Sequence, residues 1–397
     1  MASLAAACGE SFTPTLLSCA IRHIPTSQKL ISPSTFISLS LSGGVLKTLD
    51  ATTLSFKHKL MQDALIAVLQ DYEVQDYHRA IALARREFSP SPANDREIAR
   101  HLLLAHQYYD AFHVCRNLAR QCVLCGNDGE ASRYIEQAQD ALMQHLGFID
   151  ARTPEIVDIW VIQAEIALNM NRVEQAVQRL QWLDYAQQFC EEPERRAAYF
   201  VLKARMLSRE GEVQRESVLS FLDEALRLLS AITPPLSPEQ LAIQFQVYAA
   251  RFPYDASVAP HLIETARALH NLVYVGKVFL AFARSALSNH DTTRAVRILN
   301  MAIDTAHQNG DTRTESEGLL LLSQTQSGQS EVRLRTLFDA MRCFEKLGDF
   351  KGLSQIHFEI SDLLASSSPD EARIHAHWGD LLCASSHGVD TKVSPKG

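Results

Sequence analysis

Three short clusters hold residue types that could do chemistry. Cys122-Val123-Leu124-Cys125 has the Cys-x-x-Cys spacing, with His113 and Cys115 just upstream. Paired thiolates at that spacing bind zinc or cycle through a disulfide. A zinc site needs four converging ligands, and no second Cys/His pair stands where it would complete one. A thioredoxin-like motif follows a strand, whereas this one ends a helical pattern, so the thiols are assigned to a helix core. His375-Ala376-His377-Trp378 offers two imidazoles. Residues two apart lie on different helix faces, so they cannot chelate one ion. Glu191, Glu192 and Glu194 gather around Pro193 at a helix start, where negative charge favours the positive end of the helix dipole without any catalytic part. The chain has no Gly-x-x-x-x-Gly-Lys-Ser/Thr, no Gly-x-Gly-x-x-Gly after a strand and no Gly-x-Ser-x-Gly. The expectation is no catalytic residue, no metal and no cofactor, hence no enzyme.

The elements that would position any site are helical. Only 16 Gly and 14 Pro occur in 397 residues, which favours long helices over a turn-rich β fold. Breaks fall at Ser89-Pro90-Ser91-Pro92, Gly126-Asn127-Asp128-Gly129, Thr153-Pro154, Thr233-Pro234-Pro235, Asn309-Gly310-Asp311, Gly348-Asp349 and Ser366 to Pro369. These are stop-and-restart signals. Asn94, Asp95, Ser237 and Asp349 each precede an apolar-periodic run and are predicted N-caps. No convincing strand alternation is visible. The helical region is placed at 53–385, with a disordered tail over 386–397. Residues 1–50 are rich in Ser and Thr, with Glu10 and Asp50 as their only acids. That composition predicts a disordered extension or an organellar transit peptide, the latter at odds with Arg22 being its only arginine.

The net charge is −8, which argues against non-specific nucleic-acid binding, since that requires basic surface. No window approaches the roughly 18 apolar residues of a membrane helix. The eight cysteines follow no paired framework. They read as buried thiols in a reducing compartment, cytoplasmic or nuclear, unless residues 1–50 direct the chain to an organelle.

A repeated pattern organises the helices. Ala131, Ile135 and Ala138 form one helix face, with Ala119 at the centre of the helix before. Ala164 and Ala167 precede Ala176, Leu180 and Leu183 in the same way. Ala204 and Leu207 precede Val218, Leu222 and Ala225, with an insertion in the turn near Gly211. Ala283 and Ala286 precede Ala295, Leu299 and Ala302. Weaker copies use Ala259, Ile263 and Ala266, then Leu334, Phe338 and Met341, then Ala372, Ala376 and Gly379. From Ala131 onward the anchors recur every 36 to 45 residues. Small residues at these places let antiparallel helices approach closely, and a fixed period of this length marks a helical array.

The pattern resembles the tetratricopeptide repeat family. That family's small residue in its first helix matches Ala119, Ala164, Ala204 and Ala283. Its small–large–small signature in the second helix matches Ala131/Ile135/Ala138 and Ala295/Leu299/Ala302, while its first-turn Trp matches only Trp160. The resemblance covers roughly residues 55–385 and implies an all-α solenoid of stacked antiparallel helix pairs in a right-handed superhelix. It also implies a scaffold or adaptor that holds a partner peptide or helix in a concave groove. The other function it allows is a ligand- or peptide-sensing module of a transcription regulator.

In that register the groove-facing positions beside the central alanines are Arg116, Arg120, Arg205, Arg209, Lys277 and Arg284, with Glu165 and Asp158 breaking the series. Base concentrated in an acidic chain predicts an acidic partner segment, because guanidinium forks pair bidentately with carboxylates. The chaperone-binding subfamily places Asn just after the first-helix alanine. Arg120, Glu165, Arg205 and Arg284 stand there instead, so no chaperone clamp is expected.

Overall fold

Prolines at first helical positions and hydroxyls just before them start several of the helices. In this computed structural model, which describes residues 1–24, 32–88, 91–210, 214–326 and 330–386, Thr13, Ser32, Ser91 and Ser237 each precede a helix-opening proline. Each accepts, through its side-chain oxygen, from the backbone N–H three residues on. Asp291, Asp311 and Asp349 cap three further helices. The cap expected at Asn94 or Asp95 lies earlier, at Ser91, because the ring of Pro92 already fixes the φ of a first helical position.

The chain divides into two units, one of Met1–Leu118 with Tyr134–Ile149 and one of Ala119–Arg133 with Asp150–Gly397. Helices α7 (Tyr108–Leu124) and α8 (Asp128–Leu146) therefore contribute residues to both.

The first unit holds α1 (Ala2–Ala7), α2 (Pro14–Arg22), α3 (Pro33–Ser42), α4 (Lys59–Ala67), α5 (Asp71–Arg86) and α6 (Pro92–Leu104). Three short strands, β1 (Ser11–Phe12), β2 (Leu46–Thr48) and β3 (Leu54–Phe56), form an antiparallel sheet in the order β1-β3-β2. Phe12 pairs with Leu54, and Leu46 with Phe56. Asp50 makes the β2–β3 connection by accepting from the backbone N–H groups of Thr52 and Thr53. Leu4, Phe12, Leu17, Phe56, Tyr77 and Ile81 are all buried in one core.

Two expectations are corrected here. Residues 1–50 are not a disordered extension over their described part, since α1, α2, α3, β1 and β2 lie within them. A β-sheet is also present. The physical reason is brevity: strands of two or three residues are too short to show alternation. The Ser/Thr-rich composition masks Leu4, Leu16, Leu17 and Ala20, which supply the apolar faces. Residues 25–31, within the same stretch, lie outside the described residues, as do Ser89-Pro90, the turn at Gly211 and most of the 386–397 tail.

The second unit is a run of helical hairpins. Its helices are α9 (Pro154–Asn169), α10 (Val173–Ala186), α11 (Pro193–Leu207), α12 (Arg215–Ser230), α13 (Pro238–Arg251), α14 (Ala259–Ala268), α15 (Leu272–Ser288), α16 (Thr292–Asn309), α17 (Thr312–Thr325), α18 (Ser330–Leu347), α19 (Phe350–Leu364) and α20 (Pro369–Ser386). α9 packs on α10, α11 on α12, and so on in consecutive pairs to α19 on α20. First helices also stack on one another, α9 on α11, α11 on α13 and α15 on α17. This is an all-α solenoid of antiparallel pairs, a helical repeat at the coarse level the sequence pattern implied.

The alanine register explains the packing. Ala119, Ala164, Ala204 and Ala283 are wholly buried, as are Ala176, Leu183, Leu222, Ala225, Ala295, Leu299 and Ala302. Each buried leucine contributes on the order of 1.5–3 kcal/mol of apolar transfer, and each alanine lets the next helix come close enough to cover it. The register fails in two of the weaker copies: in α14, Ala259 and Ile263 are only half-buried and Leu262 is buried instead, and α18 departs further. Leu334, Phe338 and Met341 are only half-buried, and Leu337, Ala340, Phe344 and Leu347 form the core face of α18 instead. Both stripes are apolar at helical spacing, and packing against α17 and α19 chooses between them.

Candidate functional site

Within the second unit, charged side chains at the repeat period form a ladder across the first helices. Arg205, one residue past the buried Ala204 of α11, reaches back one repeat to α9. Its Nη1 donates to Glu165 Oε1 at 2.9 Å and its Nη2 to Asn169 Oδ1 at 2.9 Å. Asp158 of α9, also buried, accepts from Arg195 of α11 at 3.1 Å and lies 3.6 Å from Arg120 of α7. On α15, Lys277 lies 3.8 Å from Asp311, the cap of α17, and Arg284 pairs with Glu317 of that helix. The ladder exists because stacked first helices place a given repeat position of one opposite the same region of the next.

Longer contacts tie distant hairpins into this ladder. Arg120 is ion-paired with Glu239 in the first turn of α13. Gln246 of α13 donates to Glu165 at 3.2 Å. Arg313 of α17 is ion-paired with Asp128 at the start of α8 and donates to the Asn169 carbonyl at 3.3 Å, while Asn169 Nδ2 donates to Asp128 at 3.1 Å. The α7–α8 turn is pressed against α17. A Cβ on Gly126, whose φ is +78°, would come within 2.7 Å of Arg313 Cβ and 3.0 Å of Leu347. Only glycine satisfies that turn conformation and that approach together.

The electrostatics follow from burial. Desolvation raises the carboxyl of Asp128, whose side chain is fully buried, although Arg313 and Asn169 pull the other way. Desolvation lowers the guanidinium of Arg209, and the neighbouring charges of Arg205 and Arg313 add to that, against Asp349. Arg209 is held by neutral oxygens, Asn171 Oδ1 at 3.0 Å and the Leu168 carbonyl. Burial opposes ionisation of Glu317 but is outweighed by Arg284, Arg313 and Lys277, so its carboxyl sits below the usual range.

Five of the six cations named from sequence, Arg120, Arg205, Arg209, Lys277 and Arg284, thus belong to one polar hub. Each is met by an acceptor or carboxylate of the same chain. Arg116 belongs to the first unit, where its guanidinium lies over the Phe112 ring, 5.8 Å from the centroid. Sequence reasoning missed Asp128, Asn169, Glu239 and Arg313. Asp128 was legible only as a turn residue, and nothing periodic marked the others.

The remaining candidates are placed as follows. Cys122 and Cys125 form no disulfide and are half-buried; Cys122 Sγ lies 4.0 Å from Glu130 Oε2, and desolvation raises Cys125. His375 Nδ1 lies 2.9 Å from His357 Nδ1, and His377 is exposed on another face. Glu192 stands at the N-cap position of α11 and accepts from Arg195 at 2.6 Å rather than from the helix backbone. Among the described residues no group of three or more His, Cys, Asp or Glu side chains is arranged to hold a metal, and no helix is long and apolar enough to cross a membrane. Two open hollows occur away from the hub. One of about 560 Å³ in the first unit is lined by Cys8, Lys59, Arg85 and Arg100 among others. One of about 440 Å³ in the second is lined by Phe200, Phe221, Glu224 and Arg227 among others.

No protein-family model matches the chain, and no curated protein matches it. Among solved structures, a signal-transduction ATPase of the STAND class with a tetratricopeptide repeat sensor, from Pyrococcus horikoshii, aligns with a TM-score of 0.47 and 11% identity, over 98% of this chain and 63% of that one. This chain thus spans less than two thirds of that protein's length.

Proposed function

We propose that the chain is a helical-repeat interaction module, a scaffold or adaptor, that recognises an acidic polypeptide segment by partner exchange at the arginines and lysine of the polar hub in its second unit. The observation carrying this reading is that Arg205 and Arg313 both donate to Asn169, that Arg209 donates to Leu168 and Asn171 on either side of it, and that Arg284 pairs with Glu317 on the same helix as Arg313. Stacked first helices bring cations from separate repeats to one place. A partner with several carboxylates can engage several at once, and multiple charge-assisted bonds give specificity that one exposed pair lacks.

The test is fluorescence anisotropy with a labelled oligo-glutamate peptide at low and moderate salt. Arg209→Gln and Arg284→Gln are suitable variants, because neither strands a fully buried carboxylate. Each is expected to weaken binding at least about fivefold and to flatten its salt dependence, since exposed ionic contacts are screened over about 10 Å at 0.1 M salt. Affinity and salt slope unchanged from wild type, with helicity intact, would overturn the reading.

A further inference from the structure

The Arg120 ion pairs differ in a way that bears on how the hub is filled. Arg120 is 29% exposed and faces two carboxylates. Asp158 is 4% exposed, is also held by Arg195, and cannot leave without stranding a buried charge. Glu239 is 39% exposed and stands in the first turn of α13, 119 residues away in sequence. It is therefore the exchangeable member, able to swing into water at little cost.

We propose that Glu239 is an internal competitor: its carboxylate occupies on Arg120 the place that a partner's carboxylate takes on binding, so the hub is self-occupied until a partner displaces it. The inference rests on the reading of the hub as an acid-binding surface and adds its regulation. Glu239 and Arg120 lie on α13 and α7, which belong to different hairpins. Exchange would therefore free the start of α13 from α7 as well as expose the guanidinium. Gln246, farther along α13, stays bound to Glu165 and limits the movement to the first turn.

Two measurements decide it. Without any peptide, hydrogen exchange in the last turn of α7 and the first turn of α13 must speed up in Glu239→Gln. Unchanged rates overturn the inference at the level of the contact itself. With labelled oligo-glutamate at low salt, Glu239→Gln is expected to bind three- to fivefold more tightly than wild type, and the gain should vanish in the Arg120→Gln background. If wild type binds and Glu239→Gln binds equally or more weakly, the competitor is refuted while the acid-binding reading survives. If neither binds while both keep their helicity, the acid-binding reading falls and takes the competitor with it, even though the exchange data can still show the contact. The conservative Glu239→Asp variant should retain wild-type affinity if the carboxylate itself is the competitor.

Discussion

The two units each bury polar groups between helices, and they do so in opposite ways. In the first, His78 of α5 and His101 of α6 meet Nδ1 to Nδ1 at 2.9 Å, both buried. One ring must donate and the other accept, so neither needs a charge. In the second, Asp128 and Arg313 meet as ions, surrounded by Asn169, Arg205 and Glu165. A neutral pair leaves little net field and is sensitive to protonation. A charged pair holds distant hairpins together and is intolerant of losing either partner, because the survivor is left as an uncompensated buried charge.

The comparison is broken most directly by Arg313→Ala. This strands Asp128 with only Asn169 as a partner and should destabilise the second unit by about 3–5 kcal/mol, read as a lower urea midpoint. A loss below about 1 kcal/mol would mean that Asp128 is solvated or protonated in place.

The pH response sharpens the same contrast. Desolvation, with the nearby Arg100, lowers His78 from 6.5 to about 4, and the same effects with His78 and Arg85 lower His101 to about 2. Both folded values lie below the unfolded value. The native state therefore binds fewer protons, and the stability from the neutral pair is present above pH 6.5 and is lost as pH falls from 6.5 toward 4 for His78 and on toward 2 for His101. Between pH 7 and pH 5 the first unit should lose roughly 2 kcal/mol per ring. His101→Gln should remove about half of that slope in urea titrations at the two pH values. An identical slope in the variant would show that the pair is not the titrating element.

The smallest effect is a control on exposed charge. Arg335 and Glu331 pair at 2.9 Å on α18 with both side chains about four-fifths exposed. Arg335→Ala should change stability by under about 0.5 kcal/mol. A loss like that of Arg313→Ala would mean that position in the hub is not what makes an ion pair matter.

How far the sequence could be read differs between the same two regions. In the second unit, small residues at helix centres announced the hairpins because close helix approach demands them at fixed spacing. The caps at Ser237 and Asp349 fell where the apolar period began. In the first unit, the sheet and α1 to α3 were hidden, since their elements are too short for periodicity to stand above composition. In the hub, the cations were legible from the alanine register, but their counter-ions were not. Glu239 and Arg313 lie 119 and 185 residues from their partners, and no local pattern encodes a contact of that length.

For most hairpins of the second unit the sequence alone determined where helices start and stop and which face is buried, because capping, proline φ and a 3.6-residue apolar period are local properties; in α18, where two apolar stripes compete, it did not. Only the tertiary structure decided which carboxylate neutralises which guanidinium. That depends on how the hairpins stack, as where Gly126 lets the α7–α8 turn lie against Arg313 of α17.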